Sequence, residues 1–210
     1  SLSGGGISTA HEAQANERFA VSYVTGTHNF KTGIFHEGVK NDQLSEINQS
    51  LTYRFRNGLP NSLIQWVSPQ GTNDRARMIG LYVQDQWTMR RLTLNLGVRY
   101  DQYWAWVPET DIPAGRFGAA RHYDQTNNLL SFKDINPRIG AAYDLFGNGK
   151  TALKGFLGRY VIGRGAGTGN ANPAAAIVLS ATRTWTDING NYLPDCVLTT
   201  LTANGECGVV

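Results

Sequence analysis

No apolar run in these 210 residues is long enough to cross a bilayer as a helix, which takes about 18 residues or more. The longest, Ala174 to Leu179, falls far short. This excludes a transmembrane helix but not transmembrane strands, because a barrel strand shows lipid only its alternate residues. Charge is also scarce: Asp, Glu, Lys and Arg make up 17% of the chain, against roughly 25% in soluble domains. The net charge is only +3 and no Lys/Arg block occurs, which argues against a nucleic-acid partner. Cysteine is limited to Cys196 and Cys207. Their spacing matches no zinc motif and leaves two readings, a local disulfide or two free thiols.

Catalytic motifs are missing as well. His11, His28, His36 and His122 form no HExxH, and no serine sits in GxSxG, so nothing assembles a nucleophile with a base and an enzyme is not expected. The run Gly163-Arg164-Gly165-Ala166-Gly167-Thr168-Gly169 fails GxGxxG, since Thr168 and Asn170 stand where the third glycine belongs. It reads as an outer loop. Gly149-Lys150-Thr151 lacks the first P-loop glycine and lies in a turn.

What is abundant is strand and loop material: 24 Gly, nine Tyr, eight Phe and five Trp, with many Thr, Asn, Gln and Ser. Leu92, Leu94, Leu96, Val98 and Tyr100 alternate with Thr93, Asn95, Gly97, Arg99 and Asp101. Side chains alternate across a strand, so this is a long strand with one apolar and one polar face, about as long as a tilted membrane crossing. Ile139, Ala141, Tyr143 and Leu145 alternate likewise with Arg138, Gly140, Ala142 and Asp144; Ile79, Leu81 and Val83 with Tyr82, Gln84 and Gln86; Leu51, Tyr53 and Phe55 with Thr52, Arg54 and Arg56. Lys150–Val161, with Leu153 and Leu157 outward and Lys154 inward, Glu17–Val24, Phe30–Glu37 and the shorter Ser62–Val67 bring the count to eight strands.

The connections alternate in length. Short turns fall at Thr25–Asn29, Asn57–Asn61, Thr88–Arg91 and Phe146–Lys150, where Asn-Gly suits a hairpin. Long connections fall at Gly38–Asn48, Ser68–Asp74, Ala105–Ile135 and from Ile162 onward. Short turns on one side and long loops on the other are the plan of outer-membrane barrels. Trp87 beside a turn, with Tyr103, Trp104, Trp106 and Tyr160 at strand ends, suits two interfacial girdles. The stretch Asp187–Asp195 spaces Asp187, Asn189, Asn191 and Asp195 as calcium ligands would be spaced, without the Glu that closes an EF-hand; an Asx-rich turn is the other reading. No cofactor other than calcium is expected.

Leu81-Tyr-Val-Gln-Asp85-Gln-Trp87 followed by Leu92–Asp101, and Asn136–Thr151 continuing to Gly158-Arg-Tyr160, resemble barrel segments of TonB-dependent receptors. Tyr23–Gly33 is similar to the Oar-like subset of that family, and the cysteine-bearing tail resembles one of its outer loops. The resemblance implies an all-β, antiparallel up-and-down meander of about eight long strands, part of a larger 22-stranded barrel in a Gram-negative outer membrane. On this reading residues 1–210 are a partial barrel domain, with strands over about 17–161 and an outer loop over 162–210. Neither a plug domain nor a TonB box is recognisable in it, and both ends look cut.

The implied role is import of a siderophore, cobalamin or glycan, with membrane lipid, the plug and remaining strands of the parent chain, and the TonB complex as partners. Ligand contacts would come from Ala105–Ile135 and Ile162–Val210. Expected to face lipid are Leu92, Leu94, Leu96, Val98, Tyr100, Ile139 and Tyr143; expected to face the lumen are Asn95, Arg99, Asp101, Arg138 and Asp144. The alternatives are a passive porin, a surface adhesin barrel and a soluble sugar-binding β-sandwich, in which apolar faces would meet between two sheets.

Overall fold

A computed structural model describes residues 5–161 and 171–210. The described strands are β1 (Gly6–Thr25), β2 (His28–Ile47), β3 (Leu51–Arg56), β4 (Leu59–Trp66), β5 (Gln70–Met89), β6 (Leu92–Val107), β7 (Thr110–Ile112), β8 (Arg121–Tyr123), β9 (Thr126–Asp144), β10 (Ala152–Gly158) and β11 (Ser180–Thr184). Six of them form one antiparallel sheet in the order β1-β2-β5-β6-β9-β10. This is an up-and-down meander whose sheet neighbours are joined at one end by the predicted turns at Gly26, Arg90 and Gly147–Gly149. Gly147 and Gly149 adopt positive φ (69° and 71°), which glycine tolerates without a Cβ clash.

All eight expected strands form, but two leave the wall. β3 and β4 pair with β11 in a separate three-stranded sheet, β11-β4-β3. The expected loops Gly38–Asn48 and Ser68–Asp74 are largely strand, since β2 and β5 pair as far as Ser45↔Gln70. The β3–β4 hairpin is therefore carried past the end of the wall, and its Asn57–Asn61 turn does not lie at the turn end. The expected loop Ala105–Ile135 also shrinks, because β6 runs to Val107 and β9 starts at Thr126. Only residues 108–125 remain as a connection, and they carry the β7–β8 ribbon.

The register explains why these extensions do not continue the alternation of the expected strands. One row across the wall reads Glu17, His36, Ile79, Gln102, Lys133. On the turn side of this row, apolar residues lie on the face of Leu96 and polar residues on the face of Asn95. On the loop side the phase reverses. Val39, Ala76, Met78, Tyr103, Ala105, Leu130 and Phe132 pack together on the Asn95 face, whereas Lys40, Arg75, Arg77 and Asp42 lie on the Leu96 face by pairing. A single apolar phase along each strand does not exist, so a search for one stops at the row.

Candidate ligand-facing surface

On the turn side, Phe19, Ile34, Leu81, Tyr100 and Ile135 share one row, and Val21, Thr32, Val83, Val98 and Pro137 the next. Tyr23, Phe30, Asp85, Leu96, Ile139 and Leu157 follow. Leu92, Leu94, Leu96, Val98, Tyr100, Ile139 and Tyr143 all lie on this face. Among the described residues nothing covers its apolar side chains: Leu96 is 41% exposed, Ile139 52% and Phe19 66%. The one carboxylate in its middle, Asp85, is met by His28 Nδ1 at 2.7 Å. The His28 ring is in turn stacked between Phe30 and Trp87, with centroids 5.2 and 5.1 Å away.

The opposite face carries Asn95, Arg99, Asp101 and Arg138. The Asp101 carboxylate is nearly inaccessible and accepts hydrogen bonds from Arg99 Nε (2.7 Å) and Asn136 Nδ2 (2.8 Å). Gly80 makes room for this network, since a Cβ there would lie 2.8 Å from Arg99 Cζ and 2.9 Å from Asp101 Oδ1. The Phe35 ring lies between the Arg18 and Arg99 guanidinium groups, at 5.4 and 5.6 Å, a cation–π arrangement. Towards the turns, Ser22, Asn29, Lys31, Gln84, Gln86, Asn95 and Arg138 line a polar groove of about 440 Å³.

Three expected placements change. Asp144 turns its carboxylate into the following turn, accepting from Gly147 N (3.0 Å) and Gly149 N (2.8 Å). Those backbone donors, Gly149 first, hold its pKa below the usual carboxylate range against a smaller opposing effect of burial. Tyr103 does not join a girdle but stacks on Phe132, with centroids 4.8 Å apart, on the inner face. Tyr160 likewise lies under Arg138, 4.5 Å from guanidinium to ring. Trp106 fits the girdle reading and is met by Arg77 at 5.6 Å.

The loop end has its own core. Leu51, Leu63, Trp185, Leu198 and Cys207 are buried together, flanked by Tyr53 and Phe55. The apolar face read from Leu51, Tyr53 and Phe55 is therefore real but packs on Trp185. Cys196 and Cys207 form a disulfide across a separation of 11 residues. Arg183, 1% exposed, donates to the carbonyls of Gly208 (2.9 Å), Thr200 (3.0 Å) and Thr202 (3.1 Å), which satisfies a guanidinium that would otherwise be costly to bury and ties the tail to β11. Gln65, Val67, Phe117, Val178, Leu198 and Leu201 help to line a cleft of about 540 Å³ beside it. Neither Arg183 nor Trp185 was marked by sequence, since β11 is short and carries no alternation of its own.

The Asp187–Asp195 loop is closed by its own hydrogen bonds. Asp187 accepts from Gly190 N, Asn191 N and Tyr192 N at 2.9, 3.1 and 2.9 Å. Asn189 and Asn191 point their amide nitrogens at Asp195 Oδ2, at 2.5 and 3.0 Å. Both amides must turn over before their oxygens ligate a cation there. The glycine run from Gly163 to Gly169 lies outside the described residues.

A family model for the outer membrane beta barrel domain matches residues 3–205. The chain belongs to this family. It is a protein of the Gram-negative outer membrane, and its uncovered apolar face is not the buried inner face that a soluble sandwich requires. It is also similar to the TonB-dependent transporter Oar of Myxococcus xanthus, 25% identical over 172 residues, which cover 71% of this chain and 14% of that protein. The chain therefore spans about a seventh of the length of this relative. No solved structure matches it.

Proposed function

We propose that this chain is a sector of wall and outer loops from a TonB-dependent transporter that imports a scarce ligand of the siderophore, cobalamin or glycan class. The observation that carries the reading is the uncovered apolar band on the turn side of the wall, taken with the similarity to Oar. From Leu92 to Tyr100 the band runs roughly 30 Å along the strand, or a little over 20 Å in height at a tilt of about 40°, close to the ~25 Å band of outer-membrane barrels. In this arrangement Leu92, Leu94, Leu96, Val98, Tyr100, Ile139 and Tyr143 meet lipid, and Asn95, Arg99, Asp101 and Arg138 meet the lumen.

Lipid offers no hydrogen bonds to a sheet edge, so the outer edges of β1 and β10 require the remaining strands of a parent chain, which would also bring the plug and its link to the TonB complex. The role is non-enzymatic: the wall supplies passage and the loop end supplies ligand contacts. Calcium at Asp187, Asn189, Asn191 and Asp195 belongs to the same proposal; a chelator that leaves the proteolysis of this loop unchanged removes it. Uptake by cells expressing the parent chain, with and without a working TonB complex, tests the main reading. Uptake that stops without TonB supports it, and undiminished flux makes the protein a passive porin. Surface binding of cells or matrix without any uptake makes it an adhesin.

A further inference from the structure

The β7–β8 ribbon at the loop end carries a ligand set that the transport reading does not use. Its strands pair as Thr110↔Tyr123, Asp111↔His122 and Ile112↔Arg121. Alternation puts Glu109 and Asp111 on the same side as His122 and Asp124, while Thr110 and Ile112 point the other way and are buried. Thr110 Oγ1 donates to Pro108 O (2.9 Å) and Arg121 Nη2 to Pro69 O (2.7 Å), which anchors both strands. Backbone register sets Asp111 beside His122, and Glu109 and Asp124 reach the same imidazole from the positions flanking the two strands.

Within the patch, His122 Nδ1 lies 2.7 Å from Asp111 Oδ1. His122 Nε2 lies 3.2 Å from Asp124 Oδ1 and 4.0 Å from Glu109 Oε1. The ligand atoms of Glu109, Asp111 and His122 all fall within 4.8 Å of one another. We propose that this face binds one divalent transition-metal ion through His122 Nε2, Glu109 and Asp124, with Asp111 as the positioning residue that holds Nδ1–H.

A carboxylate behind the imidazole is how metal-bound histidines are oriented and made more basic. Ligand atoms on a tetrahedral ion with bonds of about 2.0–2.1 Å stand about 3.3–3.5 Å apart, and the 3.2 and 4.0 Å from His122 Nε2 to Asp124 and Glu109 bracket that spacing. An imidazole nitrogen among carboxylates suits zinc, manganese or iron(II) better than calcium or magnesium. Three carboxylates around one imidazole also leave negative charge in excess even when the imidazole is protonated, and a dication offsets it. The ribbon pairs at three positions only, and isolated two-stranded ribbons are marginal; an ion bridging β7 and β8 would clamp the hairpin. An imidazole nitrogen ligates a metal only when it carries no proton, so binding must weaken in acid.

The test is titration of the full-length parent protein, folded in detergent and stripped with chelator, with zinc ion followed by calorimetry. Wild type should bind one equivalent more than His122→Gln or Glu109→Gln, and Asp111→Asn should weaken that equivalent about 10- to 100-fold. Its affinity should also fall between pH 7.5 and pH 5.5. All these positions are on the surface, and strand circular dichroism confirms that each variant is folded. Equal stoichiometry and affinity in wild type and His122→Gln would overturn the proposal, as would pH-independent binding of the extra equivalent.

Discussion

The two halves of the wall use the same strands in opposite senses. On the turn side of the Glu17–His36–Ile79–Gln102–Lys133 row, apolar side chains lie on the Leu96 face and the polar network around Asp101 lies on the opposite face. On the loop side, Tyr103, Ala105, Leu130 and Phe132 pack together on the Asn95 face, while Lys40, Asp42 and Arg75 form ion pairs on the Leu96 face. The sheet runs on across the row; on the proposed reading, what changes there is the medium. Apolar surface is driven out of water, and where lipid covers the outside the outer face is the apolar one. Above the lipid the water is outside, and apolar side chains retreat to the inner face. On the proposed reading, the level at which the phase reverses is one membrane boundary.

The sharpest way to break this comparison is a matched pair above the row. Ala105→Arg puts an unpaired charge into the inner cluster, where Ala105 is 0% exposed, and should cost about 3–5 kcal/mol, whereas Trp104→Arg on the outer face should cost less than about 1 kcal/mol. Below the row the order inverts: Leu96→Arg should cost about 2–4 kcal/mol and Asn95→Arg much less. Both pairs are read by denaturant titration of the parent barrel in lipid vesicles, and equal costs within either pair would sink the assignment of faces. A smaller and more local effect is expected from replacing both Cys196 and Cys207 with Ser. Loss of the cross-link should cost about 2–3 kcal/mol in the loop-end core alone, seen as faster proteolysis there with the wall unaffected.

The smallest effects are those of pH, and they too differ by position. Burial raises the Asp42 carboxyl, but hydrogen bonds and charge from Arg75 and Lys40 outweigh it and leave the pKa below its usual value. A depressed carboxyl stabilises above the unfolded pKa of about 3.9 and loses that contribution as pH falls through the folded value, so Asp42→Asn should alter stability at neutral pH and not in strong acid. His122 is raised by its hydrogen bonds to Asp111 and Asp124. Its contribution is present below about pH 6.5 and is lost as pH rises through the higher folded value, so His122→Gln should matter in mild acid and its effect should fade as the pH rises past that value. Proteolysis of the β7–β8 ribbon across this range, with metal chelated, reads the difference.

Much of the wall was legible because a strand with one apolar face keeps a strict period of two. Leu92 to Tyr100 and Ile139 to Tyr143 announce their face, and the Phe-Gly-Asn-Gly-Lys turn announces its end. What was hidden lay where two media or two faces compete: the strand extensions with reversed phase, the buried Tyr103, and Asp144 spent on its turn. The loop end was hidden for another reason. Its core joins Leu51 and Leu63 to Trp185 and Leu198, residues more than a hundred positions apart, and no local pattern encodes such a meeting.

By itself, then, the sequence determined strand identity, the apolar band, the turn positions and the membrane class, since each follows from local periodicity and turn chemistry. Only the tertiary structure decided that β3 and β4 leave the wall for β11, that Arg183 is buried among tail carbonyls, and that Glu109, Asp111, His122 and Asp124 share one face. Those outcomes depend on pairing between distant segments, where register and the competition for apolar cover act over the whole chain at once.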